Sequence, residues 1–322
     1  DLTGNRRRVI MLSTLASFVC YGLLYFVDGF VSLLIMAVLA AALFAPVAPL
    51  IEVFAIEGSA HYGIDYGRIR LWASLSFLSG SLLSGLLLEF VPVNAVILLI
   101  AGAQGIGALA TLLLPPDHGV VKPKTRQIRF SAVLVCVLAA SLLIFAAASS
   151  IGQASHGLLY AMGSVHFSDL GYSKFTIGKL WAVAVISEIV MFAFSNRIHR
   201  RFGSVNLIAL GVSCGVLRWG LMALEPPLAI MYLAQLLHAG SFGLTHLGTM
   251  HCIRETIPDG MRNTVQGLES ALSGGILLSA SMWAAGPVYG AFGGQAYWVM
   301  AACAAVALVL ALILARISPR AS

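Results

Sequence analysis

Charge is what this sequence has least of. Only 10% of its 322 residues are Asp, Glu, Lys or Arg, where water-soluble chains carry about 25%. So few ions cannot cover a folded surface, which excludes a soluble globular protein. Cysteine is also scarce: Cys20, Cys136, Cys214, Cys252 and Cys303 all fall in or at the ends of apolar runs, and no two are spaced as a metal-binding pair. Neither a disulfide framework nor a cysteine metal site is expected. The sequence has no Gly-rich phosphate loop ending in Lys and no His-Glu-x-x-His. The first absence argues against a nucleotide-driven pump and the second against a membrane-embedded zinc protease.

What fills the chain instead is apolar: 59% of residues, with a mean hydropathy of +0.93. A lipid-spanning helix needs about 20 mostly apolar residues. Ten stretches qualify: 9–27, 30–53, 68–89, 92–114, 130–151, 174–195, 204–223, 228–250, 264–286 and 295–315. Pro92, Pro115, Pro116, Pro226, Pro227 and Pro258 fall in the gaps, while Pro46, Pro49 and Pro287 lie inside or beside spans. There the helix bundle must satisfy the carbonyls that proline frees. The expected fold is an all-α polytopic membrane protein.

Basic residues set the orientation. With ten spans, 16 of the 19 Lys and Arg fall on the side holding the first residues, all except Lys174, Lys179 and Arg218. That bias makes the side cytoplasmic, together with both ends of the chain. The longest charged connection, 115–129, divides four spans (1–114) from six (130–322). Transporters are often two parallel six-helix halves, so 4 + 6 is what remains when two helices are missing. The opening Asp1-Leu2-Thr3-Gly4-Asn5-Arg6-Arg7-Arg8 reads as a cytoplasmic loop, and a truncated chain is expected.

Charges inside spans are costly, at least about 3 kcal/mol at mid-bilayer, and survive where they face a cavity or a partner. Three successive spans carry such groups: Glu188, then Arg218, then Gln235, His238 and His246. Arg218 cannot give up its proton and needs a carboxylate. Glu188 competing between a proton, Arg218 and a substrate would couple proton movement to transport. The alternative is a permanent Glu188–Arg218 ion pair that only joins helices, or an Arg218 that snorkels to an interface. Gln235 and His238 are three apart and share a face; His246, eight beyond His238, is expected to point about 80° away. Each histidine either lines a cavity or bonds within the bundle, and their spacing does not suit a metal.

Gln153, His156 and Tyr160 share a second helical face, extending the fifth span toward the outer side. They suit a carboxylate or hydroxyl ligand, or ordinary helix–helix bonding. Glu269 faces either the cavity or a loop. Glu52 closes the second span, and Asp65 with Arg68 and Arg70 opens the third, as a cytoplasmic gate or as simple topological charge. Gly80–Gly85 and Gly102–Gly107 imply close helix approach.

These residues resemble the major facilitator superfamily, in particular its phenylpropionate permease group, related to lactose and nucleoside proton symporters. The resemblance is carried by Asp65-Tyr66-Gly67-Arg68-Ile69-Arg70-Leu71-Trp72 and by Ala45-Pro46-Val47-Ala48-Pro49-Leu50. Glu188 followed by Ser195-Asn196, Gly215-Val216-Leu217-Arg218-Trp219-Gly220, and Gln235-Leu236-Leu237-His238-Ala239-Gly240 with His246 carry it further, as do Gln153, His156 and Tyr160. It implies that the chain holds family helices 3–6 in 1–114 and 7–12 in 130–322, around a cytoplasmic loop at 115–129. It further implies that Glu188, Arg218 and His238 serve proton coupling, because related lactose permeases place a Glu, an Arg and a His on those three helices. Gln153, His156, Tyr160, Gln235, His246 and Glu269 would line the substrate cavity. The family often has Tyr where this chain has Glu269, and the added carboxylate disfavours an anionic cargo.

The function so implied is proton-coupled uptake of a small organic solute, such as an aromatic acid, by a monomer in a bacterial inner membrane. It needs no cofactor, metal or nucleic acid; its partners are solute, protons and lipid. A sugar or nucleoside symporter is the alternative. A non-transporting sensor or assembly protein would require an effector domain or long loop, and the sequence has neither.

Overall fold

The computed structural model describes residues 6–63, 66–92, 94–114, 140–258 and 261–317. These are helical segments joined by short turns, with no strand among the described residues. The chain divides into two compact units, Asp1–Lys124 and Thr125–Ser322.

The first unit contains α1 (Arg6–Leu24), α2 (Phe30–Phe44), α3 (Val47–Tyr62), α4 (Tyr66–Leu87) and α5 (Ala95–Thr111). Its centre is α1, which buries Ile10, Thr14, Ser17, Cys20 and Leu24. Their spacing of three and four residues draws one stripe along the helix. Ser17 Oγ donates to the Ala40 carbonyl at 3.2 Å, tying α1 to α2. On α5, a side chain at Gly105 would lie 3.1 Å from the Phe18 ring, so glycine lets α1 and α5 approach.

The expected span 30–53 is not one helix. It stops at Phe44 and resumes at Val47, because Pro46 has no N–H to continue the ladder and its ring crowds the preceding turn. The resumed helix then runs to Tyr62, so Glu52, half-buried, sits inside α3 rather than closing a span. Arg68 and Arg70 lie in the opening turns of α4. Asp65, the 115–129 loop and both chain ends lie outside the described residues. Within Gly102–Gly107, Gly105 and Gly107 meet Phe18 and Thr14 of α1 as close approach requires, whereas Gly80 and Gly102 have nothing within 4 Å of where a Cβ would stand.

The second unit contains α6 (Ala140–Ala154), α7 (Gly157–Asp169), α8 (Lys174–Ala193), α9 (Ser195–Phe202), α10 (Ser204–Ala223), α11 (Leu228–Leu236), α12 (Thr245–Thr256), α13 (Arg262–Ser270), α14 (Leu278–Phe292) and α15 (Tyr297–Ile317). Two π-helical segments, Ala239–Leu244 and Ala271–Leu277, join α11 to α12 and α13 to α14. One apolar core gathers Trp219, Tyr297, Leu158, Phe167 and Met222; a second gathers Phe145, Ile208, Val212 and Ala307. Both are built around α10. Close approach to that helix depends on glycines facing backbone: a Cβ at Gly248 would stand 2.6 Å from the Ser204 carbonyl and 2.9 Å from the Ile208 nitrogen.

Six stretches among the described residues are long and apolar enough to cross a bilayer: Arg6–Leu24, Ser141–Asp169, Lys174–Ala193, Ser204–Ala223, Leu228–Thr256 and Thr264–Ile317. Phe30–Phe44, Leu75–Leu87 and Ala95–Thr111 are shorter apolar helices in regions where the sequence predicts spans. Ser141–Asp169 lies further along the chain than the expected span 130–151, of which 130–139 is outside the described residues. Gln153, His156 and Tyr160 lie within the described stretch Ser141–Asp169.

Candidate functional site

The second unit buries an arginine. Arg218, near the C-terminal end of α10, is 0% exposed, which removes the snorkelling alternative. Its guanidinium lies against the neighbouring Trp219 ring, 4.6 Å from the centroid. Nη2 donates to Gln235 Oε1 at 2.9 Å. Nη1 donates to Ser241 Oγ at 3.2 Å and contacts His238 Nδ1 at 3.0 Å. Nε has no partner among the described residues.

Donor chemistry orients the network. Guanidinium N–H groups only donate, so His238 Nδ1 accepts and its proton sits on Nε2. That nitrogen faces Glu188 Oε2 at 3.3 Å. The direct Glu188–Arg218 pair considered from the sequence is thus replaced by a chain in which His238 stands between cation and carboxylate. His238 is 8% exposed and Glu188 24% exposed at the side chain, so the carboxylate is the accessible end of the chain.

A second branch leaves Arg218 through Ser241. Having accepted from Arg218, the Ser241 hydroxyl is free to donate to His156 Nε2 at 3.1 Å. His156 Nδ1 then donates to the Gln153 carbonyl at 3.1 Å, and Gln153 Nε2 reaches the Phe242 carbonyl at 3.4 Å. The two polar groups that look separate in the sequence form one network. Burying a charge is tolerable only when its hydrogen bonds are supplied in this way. Tyr160 packs its ring 5.8 Å from His156 and 6.3 Å from Trp181, without joining the chain of bonds.

Two breaks in helical regularity build this geometry. Between α6 and α7 the helix tightens, with His156 N–H bonding the Gln153 carbonyl three residues back at 3.1 Å. This places a fully buried His156 toward Ser241. After His238 the backbone widens into the π segment, a form often found at functional sites. The wider turn changes the angular register, so His238, Phe242 and His246 stack in a column with centroid spacings of 5.2 and 5.9 Å. The expected 80° offset of His246 assumed regular α-helix throughout, which the π segment interrupts. His246 is exposed, at the end of that column.

Glu269 is neither in a loop nor among these residues. It is 7% exposed, on α13, and accepts from Ser149 Oγ at 3.3 Å. Two partners in the network escaped the sequence reading, Ser241 and Trp219. Ser241 had a signal: Gln235, His238 and Ser241 recur at three-residue intervals. Serine is too common in spans for that interval to stand out.

The chain matches the MFS_1 like family over residues 1–301. It is 29% identical over 268 residues to a probable 3-phenylpropionic acid transporter of Escherichia coli (strain K12), covering 83% of this chain and 70% of that one. It is 28% identical over 273 residues to a maltose permease of Geobacillus stearothermophilus, covering 83% and 67%. Its fold is similar to the crystal structure of the nucleoside transporter NupG, with a TM-score of 0.79 at 17% identity over 97% of this chain and 82% of that one. With several apolar helices long enough to span a bilayer, a buried cation held by polar side chains and a family match over nearly its whole length, this multi-pass membrane protein belongs to the MFS_1 like family of major facilitator transporters, which are not enzymes.

Proposed function

We propose that the protein takes up a small organic solute together with protons, through ten membrane crossings with 115–129 and 197–201 on the cytoplasmic side of a bacterial inner membrane. The observation that carries the proposal is the chain from buried Arg218 through His238 to the partly exposed Glu188. A proton arriving on Glu188 neutralises the acceptor of His238 Nε2–H and loosens the chain. A proton on His238 Nδ1 would set two donors against each other, so Arg218 must withdraw before His238 can charge. Withdrawal frees guanidinium donors whose fork suits a carboxylate. Proton uptake and exposure of an anion-binding group are coupled by this arrangement.

An aromatic acid is the first cargo to test, supported by the likeness to the probable 3-phenylpropionic acid transporter of Escherichia coli. A sugar or nucleoside is the second, supported by Glu269, a buried carboxylate in the same unit that would repel an anion, and by the maltose permease likeness. The deciding experiment uses protein in proteoliposomes with a panel of labelled solutes. Glu188→Gln mimics the protonated acid and should abolish accumulation against an imposed pH gradient while leaving counterflow intact. Wild-type accumulation by Glu188→Gln would remove Glu188 from coupling.

A further inference from the structure

A separate polar cluster lies where α9, the start of α10 and α12 meet. His251 and Glu255 are four residues apart on α12, so one turn separates them on one face. His199 of α9 gives its Nε2 proton to Glu255 Oε1 at 2.8 Å, and Ser204 Oγ donates to Glu255 Oε2 at 2.6 Å. The His199 and His251 rings stack face to face, with centroids 3.6 Å apart and planes 16° from parallel. One ligand atom from each of His199, His251 and Glu255 falls within 4.8 Å of the other two. The His199 and Glu255 side chains are 20% and 48% exposed, so solutes can reach them. None of the three bonds to the Arg218 network.

We propose that His199, His251 and Glu255 bind a borderline divalent cation, with zinc as the representative ion. Two imidazole nitrogens and one carboxylate oxygen, with a fourth position left to water, form a donor set that suits Zn²⁺. Magnesium and calcium prefer oxygen ligands alone. Coordination requires the two rings to tilt out of their stack so that in-plane lone pairs converge. The His199 proton moves from Nε2 to Nδ1 as the metal takes its place, leaving the imidazole neutral. Ser204 keeps the second oxygen of Glu255 in place, the outer-shell role that orients a ligating carboxylate. Arg254, beside Glu255 in sequence, and Arg200 and Arg201, beside His199, add positive charge that moderates the affinity. A bound cation ties α9 to α12.

The test is zinc titration of the purified chain in detergent by calorimetry, with Co²⁺ absorption as a second readout. We expect one zinc per chain, and tetrahedral d–d bands with cobalt that disappear in His251→Ala. Magnesium should give no heat. Ser204→Ala should weaken zinc by about tenfold, and Glu255→Gln by more. Absence of zinc binding by the wild type, or undiminished binding by a folded His199→Ala/His251→Ala variant, overturns the site. Both measurements are independent of transport, so loss of the symport reading would leave this result standing.

Discussion

The two units bury polar groups in different ways. In the first, Thr14 bonds the Ile10 carbonyl of its own helix and Ser17 bonds the Ala40 carbonyl of the next. These short hydroxyls are satisfied by backbone and carry no charge; the same unit also buries Arg6 at the start of α1, its guanidinium 5.9 Å from the Phe54 ring centroid. In the second, Arg218, His238, Gln235, Ser241, His156 and Gln153 bond side chain to side chain across α6, α10, α11 and the π segment. Backbone-satisfied hydroxyls have one good arrangement. A network of titratable side chains has several, differing in where the protons sit. On the proposed coupling role, the second unit's network is the one that changes state.

That contrast is open to attack by mutation, and the largest effect belongs to its centre. Arg218→Ala strands the acceptors of Gln235, His238 and Ser241 and should cost about 1–3 kcal/mol for each buried acceptor left unpaired, with transport lost. Thermal unfolding in detergent beside solute uptake measures both. A fully stable Arg218→Ala would make the two units equivalent in kind.

Packing provides the next comparison. Gly248→Ala in the second unit drives a methyl group into the α10 backbone and should cost about 1–3 kcal/mol, seen as a lower unfolding temperature. The matching change in the first unit, Gly80→Ala, meets open space. It should stabilise slightly, by less than about 1 kcal/mol, through helix propensity alone. Equal responses at the two sites would show that close approach to α10 has no special weight.

Arg218, Glu188 and His238 were legible because a charge within an apolar run is rare, and rarity marks function. His199, His251 and Glu255 were not legible: they sit among the arginines at helix ends, where polar residues are ordinary. The break at Pro46 was foreshadowed by proline itself, yet the sequence reading carried the span through it. The π segment after His238 had no comparable marker, since Ala239-Gly240-Ser241-Phe242-Gly243-Leu244 reads as unbroken helix.

The sequence by itself determined that this chain is a helical membrane protein and that Glu188, Arg218 and His238 lie within apolar runs. Those conclusions depend on hydropathy summed over local windows, a property each segment has alone. Only the tertiary structure decided that His238, not Arg218, meets Glu188, and that Ser241 joins His156 to Arg218. Contacts between residues up to 89 positions apart, as from Gln153 to Phe242, set those pairings. A hydrogen bond depends on a few tenths of an ångström between helices. Helix breaks and glycine contacts fix such separations, and no window of sequence contains both sides of them.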